Sequence, residues 1–369
     1  MKKIIYLSNS ILPSQYANSI HVMKMCQAFK CSGYDVDLIF YSPSKIIDED
    51  HIFTNYGVKH KFVLSPFSFK STKGKFFQNF FKILIHLNKN SRSNIVYGRD
   101  IYSVFLAALI GFPVYFESHG TPVNRAQFFL EKLLYRNKNF KKLVVISHKL
   151  KEIYMDKNFS LKKENIKVFH DGADLIHEDI THYNLGRGFH VGYIGSLYYH
   201  GRGIDVILEI AKKNPEITFH IIGGKEKEIQ FWKERSNSNI KFYGFIPNNL
   251  ITKYLLGFDV TLMPYQKNLK LDGMDYNTVE WMSPMKMFEY MSAAKAIVTS
   301  DLPVIREVLN DKNSVLVESD NVAAWSKAVS NLHMNPDFLK SISQHAYEDF
   351  KSKYTWNQRA KSLILEFKS

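Results

Sequence analysis

The chain has 369 residues, of which 45% are hydrophobic and 23% charged, a composition that excludes a disordered or collagen-like protein. Its net charge is +14, and no apolar run reaches the ~18 residues of a membrane-spanning helix. The two cysteines, Cys26 and Cys31, lie close together on a predicted helix. This spacing favours free thiols in a cytoplasmic protein over a disulfide scaffold.

The positive charge is concentrated in the first half of the chain. Residues 1–180 contain 26 Lys and Arg against 15 Asp and Glu, whereas residues 181–369 contain 23 against 20. No carboxylate occurs between His51 and Arg99. This asymmetry indicates an anionic partner for the first half: lipid, nucleic acid or a phosphorylated substrate.

Strands and helices alternate along the first half, a pattern typical of a parallel, doubly wound sheet. A polar segment at 181–188 then predicts a linker. The predicted strands are 3–8, 36–41, 62–64, 95–97, 113–116, 143–146 and 166–169, and the predicted helices are 16–30, 75–87, 101–110, 126–136 and one capped by Ser147.

The same alternation restarts after the linker, which predicts a second α/β unit of similar size. Its predicted strands are 189–194, 218–222, 240–243, 260–264, 296–298 and 314–317, and its predicted helices include 204–212, 225–235 and 248–256. Ligands of such folds bind beyond the carboxyl ends of the strands. If the two units face each other, one cleft is lined by the loops at 8–16, 117–120, 195–203 and 272–286.

The segment 283–299 predicts a loop, a short helix and a buried strand. Pro284 suits the first helical position, and Lys286 falls in the first turn beside free backbone N–H groups. This arrangement predicts a diphosphate site, with Glu289 one turn later in reach of ribose hydroxyls. An ordinary amphipathic helix with surface charges gives the same pattern.

The loop Gly195-Ser-Leu-Tyr-Tyr-His-Gly-Arg-Gly203 joins a predicted strand to a helix. Its glycines permit a close approach of the backbone to a ligand, and Arg202 can make two charge-assisted bonds to a phosphate. Together with Lys286, it could stabilise a diphosphate leaving group without a metal ion. A simple turn remains the alternative.

His119 follows a predicted strand in the first unit, with Glu117 two residues earlier on the same side. It could hydrogen-bond a sugar or a phosphate, or be a half-buried structural histidine. A metal site is not expected, because Asp35-Val36-Asp37 lies at the start of a strand and no HxxxH or HExxH pattern occurs.

The segment from Lys70 to Arg92 contains five Lys, one Arg and no acidic residue. Its apolar positions form a helical stripe: Phe76, Phe77, Phe80, Phe81, Leu84 and Leu87. The pattern favours a helix on an anionic membrane surface or, equally, a core helix with a solvated basic face. No recognised nucleic-acid-binding module is present, so nucleic acid is not expected as a partner.

Several further blocks occur in a fixed order. They are 4–8 with 17–22, Glu117-Ser-His119, Val144-Val-Ile-Ser147, Asp171-Gly172-Ala173-Asp174, Gly195-Ser-Leu-Tyr with Arg202-Gly203, 242–246, 259–264, and Ser283-Pro284-x-Lys286-x-x-Glu289-Tyr290. In this order the blocks resemble the retaining family 4 glycosyltransferases with the GT-B fold, and the last resembles their "SPxKxFEYM" variant. Each block is weak alone, but the series covers the whole chain.

The resemblance implies two Rossmann-like domains facing across a cleft: an acceptor-binding domain at 1–180 and a nucleotide-sugar-binding domain at 188–350. A C-terminal helix within 351–369 would pack back toward the first domain. Arg202 and Lys286 would stabilise the departing diphosphate, Glu289 would hold the ribose, and His119 would contact the donor sugar. The other donor-binding residues would be Gly195, Ser196, Phe245, Ile246, Ser283, Pro284 and Met287. No cofactor and no metal would be required.

The chain departs from the family pattern at the donor sugar. Many members carry E-x7-E, but Trp281 stands eight residues before Glu289, and Glu280 is one residue out of register. Ser196 stands where a basic residue is often found.

We therefore expect a peripheral, cytoplasmic transferase at the inner face of the membrane. It would move a hexose or N-acetylhexosamine from a UDP-type donor to a glycan or lipid-linked acceptor in surface polysaccharide synthesis, such as lipopolysaccharide or capsule. The alternatives are a GT-B nucleotide-sugar epimerase and a catalytically degenerate protein that binds an anionic surface.

Overall fold

The computed structural model describes residues 2–44, 46–157, 161–176, 180–269 and 277–368. The chain divides into two compact units. The N-terminal unit comprises Met1–His170 together with Trp356–Ser369, and the C-terminal unit comprises Asp171–Thr355. The final helix of the chain therefore belongs to the N-terminal unit.

The N-terminal unit contains a seven-stranded parallel sheet in the order β3-β2-β1-β4-β5-β6-β7. Its strands are β1 (Lys3–Ile11), β2 (Asp35–Ser42), β3 (Val63–Ser68), β4 (Ile95–Gly98), β5 (Val114–Ser118), β6 (Phe140–Val145) and β7 (Ile166–Val168). Its helices are α1 (Ala17–Cys31), α2 (Glu49–Asn55), α3 (Lys75–Asn88), α4 (Ile101–Leu109), α5 (Arg125–Arg136), α6 (His148–Asp156) and, from the far end of the chain, α13 (Trp356–Lys368).

The C-terminal unit contains a six-stranded parallel sheet in the order β10-β9-β8-β11-β12-β13. Its strands are β8 (His190–Ile194), β9 (Thr218–Ile222), β10 (Ile240–Gly244), β11 (Val260–Met263), β12 (Ala296–Ser300) and β13 (Val315–Val317). Its helices are α7 (Ile204–Lys213), α8 (Glu226–Lys233), α9 (Asn248–Leu255), α10 (Met285–Ser292), α11 (Val322–Met334) and α12 (Pro336–Lys353).

The continuous apolar runs of the central strands explain these sheets. Ile4, Ile5, Tyr6 and Leu7 in β1 are all fully buried, as expected for a parallel strand that helices cover on both faces. In each unit the first strand lies in the interior of the sheet, and the strand order reverses beside it, between β1 and β4 and between β8 and β11. Ligands of doubly wound sheets bind at such switch points.

The predicted parallel, doubly wound organisation is confirmed, and most predicted elements lie within one or two residues of the observed ones. Ser147 caps α6 as predicted, since its hydroxyl accepts a hydrogen bond from the Leu150 N–H. Cys26 and Cys31 are free thiols. Helix α2 was not predicted, and α10 begins at Met285, so that Pro284 precedes the helix instead of starting it.

The predicted apolar stripe of α3 differs from the face that the unit buries. The buried residues are Asn79, Ile83 and Leu87. Phe77 and Phe81 are instead 69% and 73% exposed, and Ile85 beside them is also exposed. Among the described residues, no helix combines the length and apolar character needed to cross a membrane.

Candidate active site

The loop after β8 lies at the switch point of the C-terminal sheet. The Gly195 N–H donates to the Ile222 carbonyl over 2.9 Å, and the Tyr193 hydroxyl donates to the Ser196 carbonyl over 2.9 Å. Gly203 precedes α7 with φ +71°, and a Cβ there would lie 2.0 Å from the Pro264 carbonyl oxygen. Only glycine therefore lets the start of α7 approach the end of β11 this closely.

Helix α10 is fixed to β8 through a buried tyrosine. The Tyr290 hydroxyl accepts a hydrogen bond of 2.9 Å from the Ile194 N–H. Phe288 and Met291 on the same helix are fully buried in the apolar core of the unit. These contacts hold the first turn of α10, and with it Lys286, beside the loop at Gly195.

Lys286 is a buried cation, only 8% exposed. Its Nζ lies 3.9 Å from the centre of the Tyr193 ring and 5.3 Å from that of Tyr265. A Cβ on Gly195 would lie 2.6 Å from this Nζ, so the glycine makes room for the ammonium group. Burial lowers the pKa of Lys286 well below its usual value, and the nearby Arg202 lowers it further.

Arg202 lies near the Tyr265 ring, which Lys286 also approaches. Its guanidinium carbon is 5.5 Å from the centre of the Tyr265 ring and 5.4 Å from that of Tyr198. Within the described ranges, neither Arg202 Nε nor Lys286 Nζ has a hydrogen-bond partner, although both atoms are buried. Two neighbouring cations, Lys286 buried and Arg202 half-buried, each with a buried donor atom that has no partner among the described residues, are suited to an anion with several oxygen atoms.

Other predicted donor-binding residues lie at the same sheet edge, Glu289 on α10 and Phe245 and Ile246 after β10. Glu289 is half-buried, and its charge raises the pKa of Lys286 against the larger effects of burial and Arg202. Phe245 is half-exposed after β10, while Ile246 packs on the core. The Gly223 N–H donates to the Gly244 carbonyl over 2.7 Å, which ties the ends of β9 and β10 together.

Other predicted positions have structural roles. The Ser283 hydroxyl accepts a hydrogen bond of 2.9 Å from the Asp171 N–H. Met287 is 1% exposed, and its N–H donates to the Pro284 carbonyl, so its side chain belongs to the core. Trp281 is buried and Glu280 is exposed. Residues 272–276 of the predicted loop 272–286 lie outside the described residues.

In the N-terminal unit, His119 follows β5 and joins a buried charged cluster. Its Nε2 lies 2.8 Å from Glu117 Oε1. The same oxygen lies 2.7 Å from Arg359 Nη2 and 3.1 Å from His21 Nε2. Burial alone would raise the pKa of Glu117, but the Arg359 and His21 charges and the hydrogen bonds hold it well below its usual range.

His21, Glu117 and His119 offer ligand atoms that converge as they would around a metal ion. The Arg359 guanidinium, however, already supplies a positive charge to the shared carboxylate oxygen. We therefore describe the group as an ion-pair cluster. Asp37 of the Asp35-Val36-Asp37 segment is structural, because it pairs with Lys3 over 2.9 Å and with His86 over 3.0 Å.

A second buried acid supports the loop that carries His119. Glu131 on α5 accepts hydrogen bonds from the Tyr135 hydroxyl over 2.8 Å and from the Tyr154 hydroxyl over 3.1 Å. The Tyr154 hydroxyl oxygen also lies 2.8 Å from the Ser118 hydroxyl and 3.0 Å from the Gly120 carbonyl oxygen. Burial raises the pKa of Glu131 to about 7 despite these bonds.

Sequence reasoning missed the side chains that complete both groups. Tyr193 and Tyr265 support the two cations. Tyr193 lies within β8, where nothing in the sequence marks it as part of a site. Tyr265 directly follows the predicted strand 260–264, and this position after a strand was the one available signal. Arg359 is 242 positions from Glu117, and no local pattern predicts that contact.

Residues 188–335 match the family model described as "Glycosyl transferases group 1". The C-terminal unit is similar to these enzymes. The matched segment contains Gly195, Arg202, Lys286 and Glu289. A search of curated proteins gave no match.

Solved structures with a similar fold cover nearly the whole chain. HepE from Anabaena shares 11% identity with a TM-score of 0.72 over 99% of both chains. Sucrose-phosphate synthase from Thermosynechococcus elongatus shares 14% identity with a TM-score of 0.72, covering 100% of this chain and 98% of that chain. TarM shares 12% identity with a TM-score of 0.72, covering 100% of this chain and 99% of that chain. At such identities the likeness concerns the fold, and it confirms the predicted pair of Rossmann-like domains of the GT-B class.

Proposed function

We propose that the chain is a retaining glycosyltransferase that moves a sugar from a nucleotide-sugar donor, with UDP as the nucleotide, to a glycan or lipid-linked acceptor. The observation that carries the proposal is the pair of neighbouring cations, buried Lys286 and half-buried Arg202, at the switch point of the C-terminal sheet. A diphosphate supplies the oxygen atoms that their unused donors require.

The comparisons support the class of the donor. Residues 188–335, which match the glycosyltransferase family, hold both cations. HepE was solved with UDP and with UDP-glucose, and S. aureus TarM with UDP and alpha-GlcNAc-glycerol. WaaB, also similar in fold, is described as a lipopolysaccharide outer core galactosyltransferase. These neighbours favour a UDP-sugar and a surface-glycan acceptor for this chain.

In the proposed reaction, the bond between the anomeric carbon and the diphosphate oxygen breaks. The acceptor oxygen bonds to the anomeric carbon on the same face, and its proton passes to the departing phosphate. Lys286 and Arg202 neutralise the charge that develops on the diphosphate, a role that a divalent metal ion has in other enzymes. Activity should therefore survive an excess of EDTA.

The first experiment measures which nucleotide the purified protein binds. A thermal-shift panel of UDP, GDP, TDP and CMP should show selective stabilisation by UDP, because a ligand of the native state raises its apparent stability. Stabilisation by GDP or TDP would change the donor but keep the site. No shift at millimolar nucleotide would contradict the proposal.

Product analysis then separates transfer from other reactions. With a UDP-sugar and an acceptor, the transferase should release free UDP, whereas an epimerase would release UDP-sugar isomers. Arg202→Ala should lower the transfer rate by about 3 kcal/mol of transition-state stabilisation, or more than 100-fold. The matched control is Arg235→Ala, because Arg235 lies 3.8 Å above the Phe231 ring on the exposed side of α8.

For His119 we propose a hydrogen bond to the reacting sugar. His119→Ala should lower kcat at least about 100-fold and leave UDP affinity unchanged. His60→Ala removes an exposed histidine and serves as the control. Equal activity of the two variants would remove His119 from the mechanism.

We further propose that α3 attaches the protein to an anionic bilayer, where a lipid-linked acceptor resides. Phe77, Phe81 and Ile85 follow one another at intervals of four residues and are all exposed. Lys82 and Lys89 flank them, and the segment from Lys70 to Arg92 has no acidic residue. Each inserted Phe contributes roughly 1.5–3 kcal/mol, and each Lys near the surface about 1 kcal/mol.

Vesicle sedimentation tests this attachment. The double variant Phe77→Ser/Phe81→Ser should lose binding to vesicles that contain anionic lipid, and high salt should weaken the wild type. Phe129→Ser on α5 is the control, since Phe129 is an equally exposed phenylalanine on another helix. Unchanged binding of the double variant would exclude α3 as the contact.

A further inference from the structure

The ion-pair cluster of the N-terminal unit depends on a residue from the last helix of the chain. Arg359 on α13 is 3% exposed. Its Nη2 donates to Glu117 Oε1 over 2.7 Å and to the Phe169 carbonyl over 3.3 Å, while its Nε donates to the His170 carbonyl over 2.9 Å. Three acceptors thus fix both the position and the plane of the guanidinium group.

This fixed guanidinium in turn fixes the Glu117 carboxylate. Glu117 Oε2 accepts a hydrogen bond of 2.5 Å from the Tyr97 hydroxyl, and Oε1 faces Arg359 and both histidines. An ionised carboxylate can only accept hydrogen bonds. The proton between His119 and Glu117 therefore lies on His119 Nε2, and a neutral His119 ring has its lone pair on Nδ1.

The same helix also orients the second histidine. The Trp356 ring lies edge-on to His21, with 5.2 Å between ring centres and 88° between planes. His21 in turn lies edge-on to His119, with ring centres 4.8 Å apart. Helix α13 thus contacts the cluster at two points, Trp356 and Arg359.

Charge balance gives Arg359 a second effect. The groups that face Glu117 within the N-terminal unit are His21 from α1, Tyr97 from β4, His119 and Arg359. The Tyr6 hydroxyl lies in the fields of both Glu117 and Arg99. Arg359 contributes a permanent cation to the carboxylate, so part of the Glu117 charge stays compensated without protonation of a histidine.

We infer that Arg359 is a positioning residue for His119: it holds the Glu117 carboxylate so that His119 keeps its proton on Nε2 and its lone pair on Nδ1. The importance of this tautomer for sugar transfer rests on the proposed function, whereas the positioning of His119 by Arg359 does not depend on it.

The test is ¹⁵N NMR of histidine-labelled protein, with the His119 signal assigned from His119→Gln. In the wild type, His119 should show the Nε2–H tautomer at pH 7.5. Arg359→Met should shift His119 toward the charged form or a mixture of tautomers and lower kcat about 10- to 100-fold, as for other residues that orient a functional histidine. Lys361→Met removes an exposed charge from the same helix and should change neither.

A second variant covers a failure of Arg359→Met to fold. Arg359→Lys keeps the charge but loses the fork that reaches Glu117 and the two carbonyls, so it should restore the neutral ring while its tautomers mix. Glu117→Gln should abolish the tautomer preference. A folded Arg359 variant with an unchanged His119 spectrum would overturn the inference.

The outcome is separable from the proposed function. If the spectra change as expected and no UDP-sugar is turned over by the wild type, the positioning role stands and the transferase proposal fails. If the wild type transfers sugar and Arg359→Met leaves both the His119 spectrum and kcat unchanged, the transferase proposal stands and the positioning role of Arg359 fails.

Discussion

The group at the carboxyl edge of the N-terminal sheet is centred on a carboxylate, whereas the group at the carboxyl edge of the C-terminal sheet consists of two cations. The two groups differ in how their charges are paired. In the N-terminal unit, the carboxylate of Glu117 is surrounded by Arg359, His21 and His119, which the chain itself supplies. In the C-terminal unit, Lys286 and Arg202 rest on tyrosine rings, and their buried Nζ and Nε atoms find no hydrogen-bond partner in the part of the chain that the structure describes. The charges of the first group are paired with one another, whereas the two cations of the second repel each other and the Glu289 charge offsets this only in part. Charge removal should therefore harm stability in one unit and ligand binding in the other.

The largest expected effect is on the stability of the N-terminal unit. Glu117→Gln leaves the buried Arg359 without its carboxylate, which should lower the free energy of unfolding by about 3–5 kcal/mol. Urea denaturation measures the loss. Glu152→Gln is the control, since Glu152 pairs with Lys149 at the surface of α6 and should change stability by less than about 1 kcal/mol. Equal losses of stability in Glu117→Gln and Glu152→Gln would contradict the structural importance of the buried Glu117.

A slightly smaller effect concerns Glu131, whose pKa burial raises to about 7 from 4.5. Between these two values the native state binds more protons than the unfolded state, so stability falls as the pH rises from about 4.5 to about 7. The shift corresponds to on the order of 3 kcal/mol. Between pH 4.5 and pH 8, the free energy of unfolding of Glu131→Gln, measured by urea denaturation, should rise by about 3 kcal/mol relative to that of the wild type. A difference independent of pH would contradict this.

Lys286→Met should separate binding from stability in the C-terminal unit. Losing a charge-assisted contact to the diphosphate should weaken UDP binding about 100-fold, measured by calorimetry. The free energy of unfolding should not fall, because the variant removes a buried cation whose desolvation the tyrosine rings and Glu289 offset only in part, as its lowered pKa indicates. Lys233→Met, on the exposed side of α8, should change neither quantity. A destabilised Lys286→Met would mean that Lys286 already has an adequate partner.

The smallest effect is a proton uptake. Burial and Arg202 lower the pKa of Lys286, and a bound diphosphate would raise it again. UDP binding should therefore be accompanied by proton uptake at pH values where free Lys286 is partly deprotonated, and UDP affinity should fall as the pH rises through that range. Calorimetry in buffers of different ionisation enthalpy measures the uptake, which Lys286→Met should abolish.

The sequence predicted the fold well because strand and helix patterns are local. It also singled out Arg202 and Lys286, which the structure brings together, since a glycine-rich loop and a helix start each leave a local signature; their role in binding a diphosphate stays a prediction. It did not predict the rings of Tyr193 and Tyr265 or the contact of Arg359 with Glu117, because these depend on which strands become neighbours. The sequence left two uses of α3 open, a membrane surface or the core, because phenylalanines occupy several sides of the helix; in the structure Asn79, Ile83 and Leu87 pack inward.

The place of α13 in the N-terminal unit has a consequence for synthesis. Residues 171–355 form one uninterrupted unit, which can fold as soon as it leaves the ribosome. Residues 1–170 are translated first, yet the Glu117 carboxylate must wait for Arg359 to arrive with Trp356–Lys368. The unit that is made first is thus completed last.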